Sequence, residues 1–269
     1  MATENTVHRT ALVLGGGGSR GAAEVGLYRA LVELGIPIDF VVSSSIGAVN
    51  GAMIAAGLPP GELERRWKAL RSRDVLGTGW PLWRLLVRPA SLFSNQSLRG
   101  LLEKILPVRS FGELRMPLVI VATDLETGES VALTEGSLVE AILASTALPG
   151  LFPPIQWQGR RLIDGGLSNN MPIDLAVERG AERVIGMLCG CGRGLPASPN
   201  LVSVLGQSFS LAINARYRCD ARLYARLAEL MILDPCLEPS LELLDFDRAW
   251  TLLEPAHQYA LQELTNRLA

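Results

Sequence analysis

Four consecutive glycines, Gly15 to Gly18, join a short apolar run, Thr10 to Leu14, to a segment in which Val25, Leu27, Ala30, Leu31 and Leu34 recur at helical spacing. Glycine loses more conformational freedom on folding than any other residue, so four in a row are costly unless the loop does something only bare backbone allows. A strand that runs through such a loop into a helix leaves N–H groups at a helix N-terminus with no Cβ in front of them. That is a place where negative charge, including an oxyanion, is stabilised. A plain structural turn is the alternative reading.

The helix predicted over 22–34 ends at Gly35, with Pro37 just beyond. Residues 39–44 then read as a buried strand, and 46–56 as a helix stopped by Gly57-Leu58-Pro59-Pro60. Strand, glycine turn, helix, strand, tight turn, helix predicts an α/β sheet with helices on its faces. Further strands are predicted over 117–122, 130–133, 161–163, 183–187 and 229–233, and further helices over 96–106, 138–145, 172–179, 201–227 and 246–268. Residues 72–95 fit neither period and read as a cap or insertion. With 269 residues, 48% of them apolar and 19% charged, the chain has material for a packed core. No repeat or low-complexity linker interrupts it, which predicts one domain over 10–269 behind a polar tail, 1–9.

Gly16-x-Gly18-x-x-Gly21 after a strand has the spacing of a dinucleotide-binding turn. That reading wants an acid at the end of the second strand to bind a ribose. Here Asp39 begins that strand and Ser43-Ser44-Ser45 ends it. A phosphate-binding P-loop fails because Arg20 and Gly21 stand where Gly-Lys-Ser/Thr is required. The second feature is Ser45 itself, set between a buried strand and a helix and followed by Gly47, as in a nucleophile elbow. Ser43 stands where G-x-S-x-G has its first glycine, and a helix N-cap is the plain alternative. The third is Asp164, at the end of an apolar run and followed by Gly165 and Gly166: a carboxylate presented on a sharp turn, or simply a turn. Asp124 and Glu126 read as a hairpin turn, and Asn169 and Asn170 as side chains supporting the Asp164 turn.

A Ser-His-Asp triad requires an imidazole, and the chain has two histidines. His8 lies in the polar tail and His257 within a predicted helix, so neither occupies a loop after a strand. Asp164 is then the leading partner for Ser45. The four blocks Leu14-Gly-Gly-Gly-Gly-Ser-Arg-Gly-Ala, Ser45-Ile-Gly-Ala, Ala144-Ser-Thr-Ala-Leu-Pro-Gly-Leu-Phe-Pro-Pro and Ile163-Asp-Gly-Gly-Leu-Ser-Asn-Asn-Met-Pro closely resemble the bacterial patatin-like phospholipases, in the family's order. The resemblance runs from about Ala11 to Gly186, and more loosely through Phe246-Asp-Arg-Ala. It implies a three-layer α/β/α fold with a mostly parallel central sheet and a Ser-Asp dyad. Ser45 would be the nucleophile and Asp164 the base, with Gly16, Gly17 and Gly18 as the oxyanion loop. Arg20 would fix that loop or help hold an anion, and Gly21, Gly47, Gly165 and Gly166 are the motif glycines. Lipid or other acyl esters would be the substrates, and neither metal nor cofactor would be required. Two departures stand out: Ser43 replaces the usual glycine and Glu24 a frequent histidine, which motivates a catalytically silent relative as the alternative.

The net charge of −2 argues against a nucleic-acid binder. Met1 to Thr10 lack the apolar stretch of a signal peptide and no run of 18 apolar residues occurs, so a cytoplasmic protein is expected. Residues 65–88 hold Arg65, Arg66, Lys68, Arg71, Arg73, Arg84 and Arg88, with Asp74 the one acid and Trp67, Trp80 and Trp83 interleaved. That mixture suits peripheral contact with an anionic membrane or a lid over an acyl channel; a solvated helix beside ordinary core aromatics is the alternative. Cys189, Cys191, Cys219 and Cys236 have no histidine near to complete a zinc site, and read as buried, reduced thiols.

Overall fold

Alternation decides the sheet. Leu12 and Leu14 enter one apolar cluster while Ala11 and Val13 enter another on the opposite face, and Val41 is likewise separated from Phe40 and Val42. A strand whose successive side chains are all apolar must be covered on both sides. In the computed structural model, which describes residues 8–77, 91–189, 201–237 and 241–268, both faces are covered by helices.

The elements in chain order are β1 (Thr10–Leu14), α1 (Ala22–Glu33), β2 (Phe40–Ser44), α2 (Ile46–Ala55), α3 (Pro60–Ala69), α4 (Ser72–Leu76), α5 (Gln96–Ile105), β3 (Leu118–Asp124) and β4 (Ser130–Leu133). They continue with α6 (Leu138–Ser145), β5 (Ile155–Trp157), β6 (Arg160–Asp164), α7 (Gly166–Asn169), α8 (Ile173–Glu178), β7 (Arg183–Met187), α9 (Leu201–Tyr224), β8 (Glu229–Leu233) and α10 (Leu253–Leu268). Hydrogen-bonded neighbours run β5-β6-β3-β2-β1-β7-β8, with β4 also paired to β3. The pairs from β3 through β2, β1 and β7 to β8 are all parallel, whereas β4, β5 and β6 pair antiparallel. This is the expected α/β/α arrangement with a mostly parallel sheet, extended by an antiparallel margin.

That margin positions everything that follows. Residues of a strand present their N–H and C=O to alternate edges. The Pro117 carbonyl accepts from Val41 N–H, and Leu125 N–H donates to the Arg161 carbonyl, so these odd-numbered positions face one edge. Asp124 N–H donates to the Glu129 carbonyl on the other edge, where β4 lies. Thus β2 and β6 share one edge of β3: β2 lies opposite Leu118–Val121 and β6 opposite Ala122–Asp124. They meet end to end, with Ser44 opposite Val121 and Asp164 opposite Ala122. Each chain must turn out of the sheet at the junction, β2 into α2 and β6 into α7.

Helix packing keeps this junction close to the core. All ten residues of α2 are buried, and Gly51 brings it against Ser43 on β2. Gly26 lets α1 approach α10, because a Cβ there would crowd the backbone at Leu253 and His257. Leu12, Leu14, Leu27, Leu31, Ile120 and Ile142 are fully buried; each contributes about 1.5–3 kcal/mol relative to exposure.

Four expectations are corrected. The last helix begins at Leu253, not Phe246, after a 3-10 turn at Ala249–Leu252. Phe246 is held outside it, stacked on Trp67, with its N–H donated to Ser72 Oγ, and Pro255 in the first turn of α10 is compatible with a helix start but not with its interior. The region 72–95 is not wholly irregular, since Ser72–Leu76 is a helix; residues 78–90, the rest of the expected cap, lie outside the described residues. Three further elements went unpredicted: α3, the four-residue α7 and the three-residue β5. Finally, Cys189 is buried but Cys219 and Cys236 are exposed, while Cys191 lies outside the described residues. Of the polar tail over 1–9, His8 and Arg9 are described.

Candidate active site

Ser45 occupies the turn between β2 and α2 with φ 52° and ψ −124°. A non-glycine residue held there stores about 1–3 kcal/mol of strain, which the surrounding structure must offset. Gly47 makes the turn possible: its N–H donates to the Gly15 carbonyl at 3.2 Å, and any side chain would strike the backbone at Leu14 and Gly15. Ser45 is partly exposed, whereas Asp164 is buried at 5% exposure. The junction of β2 and β6 brings the two together across 119 residues of sequence, Ser45 Oγ donating to Asp164 Oδ2 at 2.7 Å.

The Asp164 carboxylate is fixed from its other side by Gly166 N–H, which donates to Oδ1 at 2.8 Å. Its backbone is held as well: Asp164 N–H donates to the Ala147 carbonyl, and Thr123 Oγ1 donates to the Asp164 carbonyl at 2.8 Å. Gly165 packs where a Cβ would overlap the Val121 carbonyl, so the turn out of β6 admits no side chain there. Burial pushes the Asp164 carboxyl up from an ordinary 3.8 to about 6, against the lowering effect of the bonds from Ser45 and Gly166. Removal from water disfavours the charged form, and here that outweighs two hydrogen bonds.

The glycine loop passes beside Ser45. A Cβ on Gly16 would lie 3.1 Å from Ser45 Cβ, and one on Gly17 would press on Cys189. Gly18 adopts φ +57° against the Leu243 carbonyl. Gly21 lies against Ile46, where α1 and α2 begin side by side. Gly16 N–H already donates to Asn170 Oδ1 at 2.9 Å, whereas Gly17, Gly18 and Ile46 have no N–H acceptor among the described residues. The loop is tied down beyond its end: Arg20 Nε and Nη2 donate to the Leu241 carbonyl at 3.1 and 2.9 Å, and Ser19 Oγ to the Glu242 carbonyl at 2.7 Å. The guanidinium therefore anchors the loop.

The two departures from the family pattern are absorbed away from the Ser45–Asp164 contact. Ser43 is fully buried and donates its hydroxyl to the Val119 carbonyl at 3.2 Å. Glu24 is fully buried beneath the loop, where Oε2 accepts from Asn50 Nδ2 at 2.7 Å. Asn50 also donates to the Gly21 carbonyl and accepts from Trp67 Nε1 at 2.9 Å. Glu24 Oε1 makes no hydrogen bond of ordinary geometry, with Cys189 and the Gly15 amide its other polar neighbours. Burial pushes this carboxyl up to about 8, so it is protonated at neutral pH.

Other expectations fall on either side. Asp124 heads the β3–β4 hairpin, its Oδ1 accepting from Glu126 and Thr127 N–H, and Glu126 pairs with Arg161 at the surface. Both histidines lie elsewhere: His8 beside Glu182, and His257 against Glu33 at 2.8 Å. Asn169 and Asn170 do not support the Asp164 turn with their side chains: Asn169 donates to Asp174 at 2.7 Å, and Asn170 serves the glycine loop. Within 65–77, Arg65 and Arg66 pair with Glu62, Lys68 with Glu64, and Arg71 with Asp247, while Trp67 is buried. Trp80, Trp83, Arg84 and Arg88 lie outside the described residues.

One site residue was not singled out from sequence. Ser145, the buried end of α6, accepts from Ser45 N–H at 2.8 Å and donates to the Val121 carbonyl at 2.6 Å. Its own carbonyl accepts from Gly165 N–H at 3.1 Å. The available signal was a hydroxyl closing a helix that is apolar but for Glu140.

Fold and geometry together define an α/β/α protein built around a serine elbow, a buried carboxylate and a glycine loop. The chain belongs to the patatin-like phospholipase family, whose model matches residues 12–177. It is 35% identical over 193 residues to patatin-like phospholipase domain-containing protein 7 of Rattus norvegicus, covering 69% of this chain and 14% of that protein. It is 37% identical over 168 residues to an NTE family protein of Mycobacterium bovis, covering 61% of this chain and 44% of that one. The chain thus spans less than half of each relative's length. Among solved structures, VipD from Legionella pneumophila shares the fold at a TM-score of 0.51 and 17% identity, over 96% of this chain and 67% of that chain.

Proposed function

We propose that this chain is a serine-dependent lipid acyl hydrolase, a phospholipase A or carboxylic ester hydrolase acting through an acyl-enzyme. The observation that carries the reading is the 2.7 Å hydrogen bond from Ser45 Oγ to Asp164 Oδ2 at a strained elbow beside unengaged loop amides. Family membership supports lipid esters as the substrate class.

Asp164 accepts the Ser45 proton as Oγ attacks the ester carbonyl, and the alcohol portion leaves with that proton. Water activated by the same carboxylate then attacks the acyl-enzyme and releases the fatty acid. A carboxyl raised to about 6 is a better base near neutrality than an ordinary aspartate. Gly17, Gly18 and Ile46 N–H are the oxyanion donors in this reading, because Gly16 N–H is committed to Asn170. Removal of one such donor costs about 10²–10³ in turnover. No step calls for a metal or cofactor.

Wild type and Ser45→Ala, given a short-chain p-nitrophenyl ester and a fluorescent phospholipid, test the proposal. Hydrolysis by wild type alone is expected; equal hydrolysis by both would refute it, and the preferred substrate separates phospholipase from general esterase. Peripheral contact with anionic membrane through 65–88 is proposed as well. Arg84→Glu with Arg88→Glu is expected to weaken binding to anionic vesicles, and unchanged binding rejects that contact.

A further inference from the structure

At the junction of β2 and β6 the sheet is missing one link. Parallel pairing of β2 with β3 places Val41 opposite Leu118 and Ser43 opposite Ile120, and Val41 N–H donates to the Pro117 carbonyl. Continued two residues at a time, that ladder would bring Ser45 N–H to the Val121 carbonyl. Ser45 has instead turned out of the strand at φ 52°. Two strong backbone groups are thereby parted in the interior, where leaving either unpaired is costly.

Ser145 fills the gap. Its Oγ is fully buried, donates to Val121 O at 2.6 Å and accepts from Ser45 N at 2.8 Å. A carbonyl only accepts and an N–H only donates, so the direction of both bonds is fixed and the hydroxyl has one orientation. The same residue reaches the other arm, its carbonyl accepting from Gly165 N–H beside Asp164.

We propose that Ser145 is the positioning residue of the dyad: its hydroxyl splices the broken ladder between Ser45 N–H and Val121 O, and so holds the elbow outward with Ser45 Oγ on Asp164. Without the hydroxyl the ladder closes directly, drawing Ser45 back toward the strand line and off the carboxylate. This rests on the proposed nucleophile and base, and it assigns Ser145 no contact with substrate. A displacement of about 1 Å at a reacting group lowers rate by about 10²-fold.

The test compares wild type, Ser145→Ala and Ser145→Cys, the last preserving side-chain volume with a weaker hydrogen-bonding group. Four quantities are read: the rate constant for labelling by a soluble fluorophosphonate, kcat and KM on a short-chain ester, and Tm. Labelling of Ser145→Ala is expected to slow about hundredfold, with kcat falling in parallel and KM within about threefold of wild type. If the alanine variant does not fold, Ser145→Cys carries the test, with slowing of at least about tenfold expected. A folded variant that labels at the wild-type rate overturns the proposal, including one whose Tm alone has dropped. Wild type that neither labels nor hydrolyses overturns the dyad reading and this proposal with it, an outcome distinguished from the first by the wild-type control.

Discussion

One carboxyl should govern two curves at once. Burial raises Asp164 from 3.8 to about 6, and at about 1.4 kcal/mol for each tenfold this corresponds to about 3 kcal/mol. As the proposed base, Asp164 must be ionised, so kcat/KM should rise about tenfold per pH step up to about 6 and level off above it. As a buried group, it binds its proton more tightly folded than unfolded. Below 3.8 both states are protonated and no penalty exists; between 3.8 and 6 the unfolded state loses its proton first and stability falls; above 6 the loss is constant. Asp164→Asn has no proton to lose, and its amide retains acceptors and donors for Gly166 and Ser45. It should therefore match wild type in stability near pH 3.5, exceed it by about 3 kcal/mol at pH 7, and be inactive at both. Urea unfolding across pH 3.5–8, beside kcat/KM on a soluble ester, measures both curves. A kcat/KM midpoint near pH 4 together with a stability difference that does not change with pH would refute the argument that desolvation sets this carboxyl.

Glu24→Gln should stabilise the fold by about 3 kcal/mol at pH 7, since the carboxyl sits at about 8 rather than 4.5, with the gain absent below pH 4.5 and complete above 8; urea midpoints at pH 4 and pH 8 decide it. Asn170→Ala removes the acceptor of Gly16 N–H; it should cost about 1–3 kcal/mol and lower kcat more than KM, as read by thermal unfolding and steady-state kinetics. Gly18→Ala places a Cβ on the Leu243 carbonyl at φ +57°; a loss of at least about 2 kcal/mol and slower fluorophosphonate labelling are expected, and wild-type values in both would show that the loop yields freely.

Much of this was legible in sequence because the elements concerned are marked by local chemistry. Thr10–Leu14 and Phe40–Ser44 are apolar runs ended by glycine or serine, and Ser45 and Asp164 each announce a turn through the glycines that follow. What sequence withheld depends on partners distant in the chain. Asn170 meets Gly16 across 154 residues, and nothing in Asn169-Asn170 distinguishes the one that does so. Ser145 bonds only to backbone, which has no sequence signature. The three residues of β5 are too few for a period to show, and the apolar pattern that seemed to begin a helix at Phe246 is a side chain stacking on Trp67 before the helix starts.

The end-to-end meeting of β2 and β6 makes β3 a ruler. The serine and the aspartate are spaced by consecutive rungs on one edge of a strand that lends neither of them a reacting atom. An extra residue between Val121 and Ala122 would lengthen the scale by about 3.3 Å and turn the following peptides to the opposite edge, unhooking β6 altogether. Apolar side chains along β3 can be exchanged for others of similar size while this measure is kept; Thr123, whose hydroxyl donates to the Asp164 carbonyl, is the exception. A change of one residue in the strand's length dismantles the pair without touching either member.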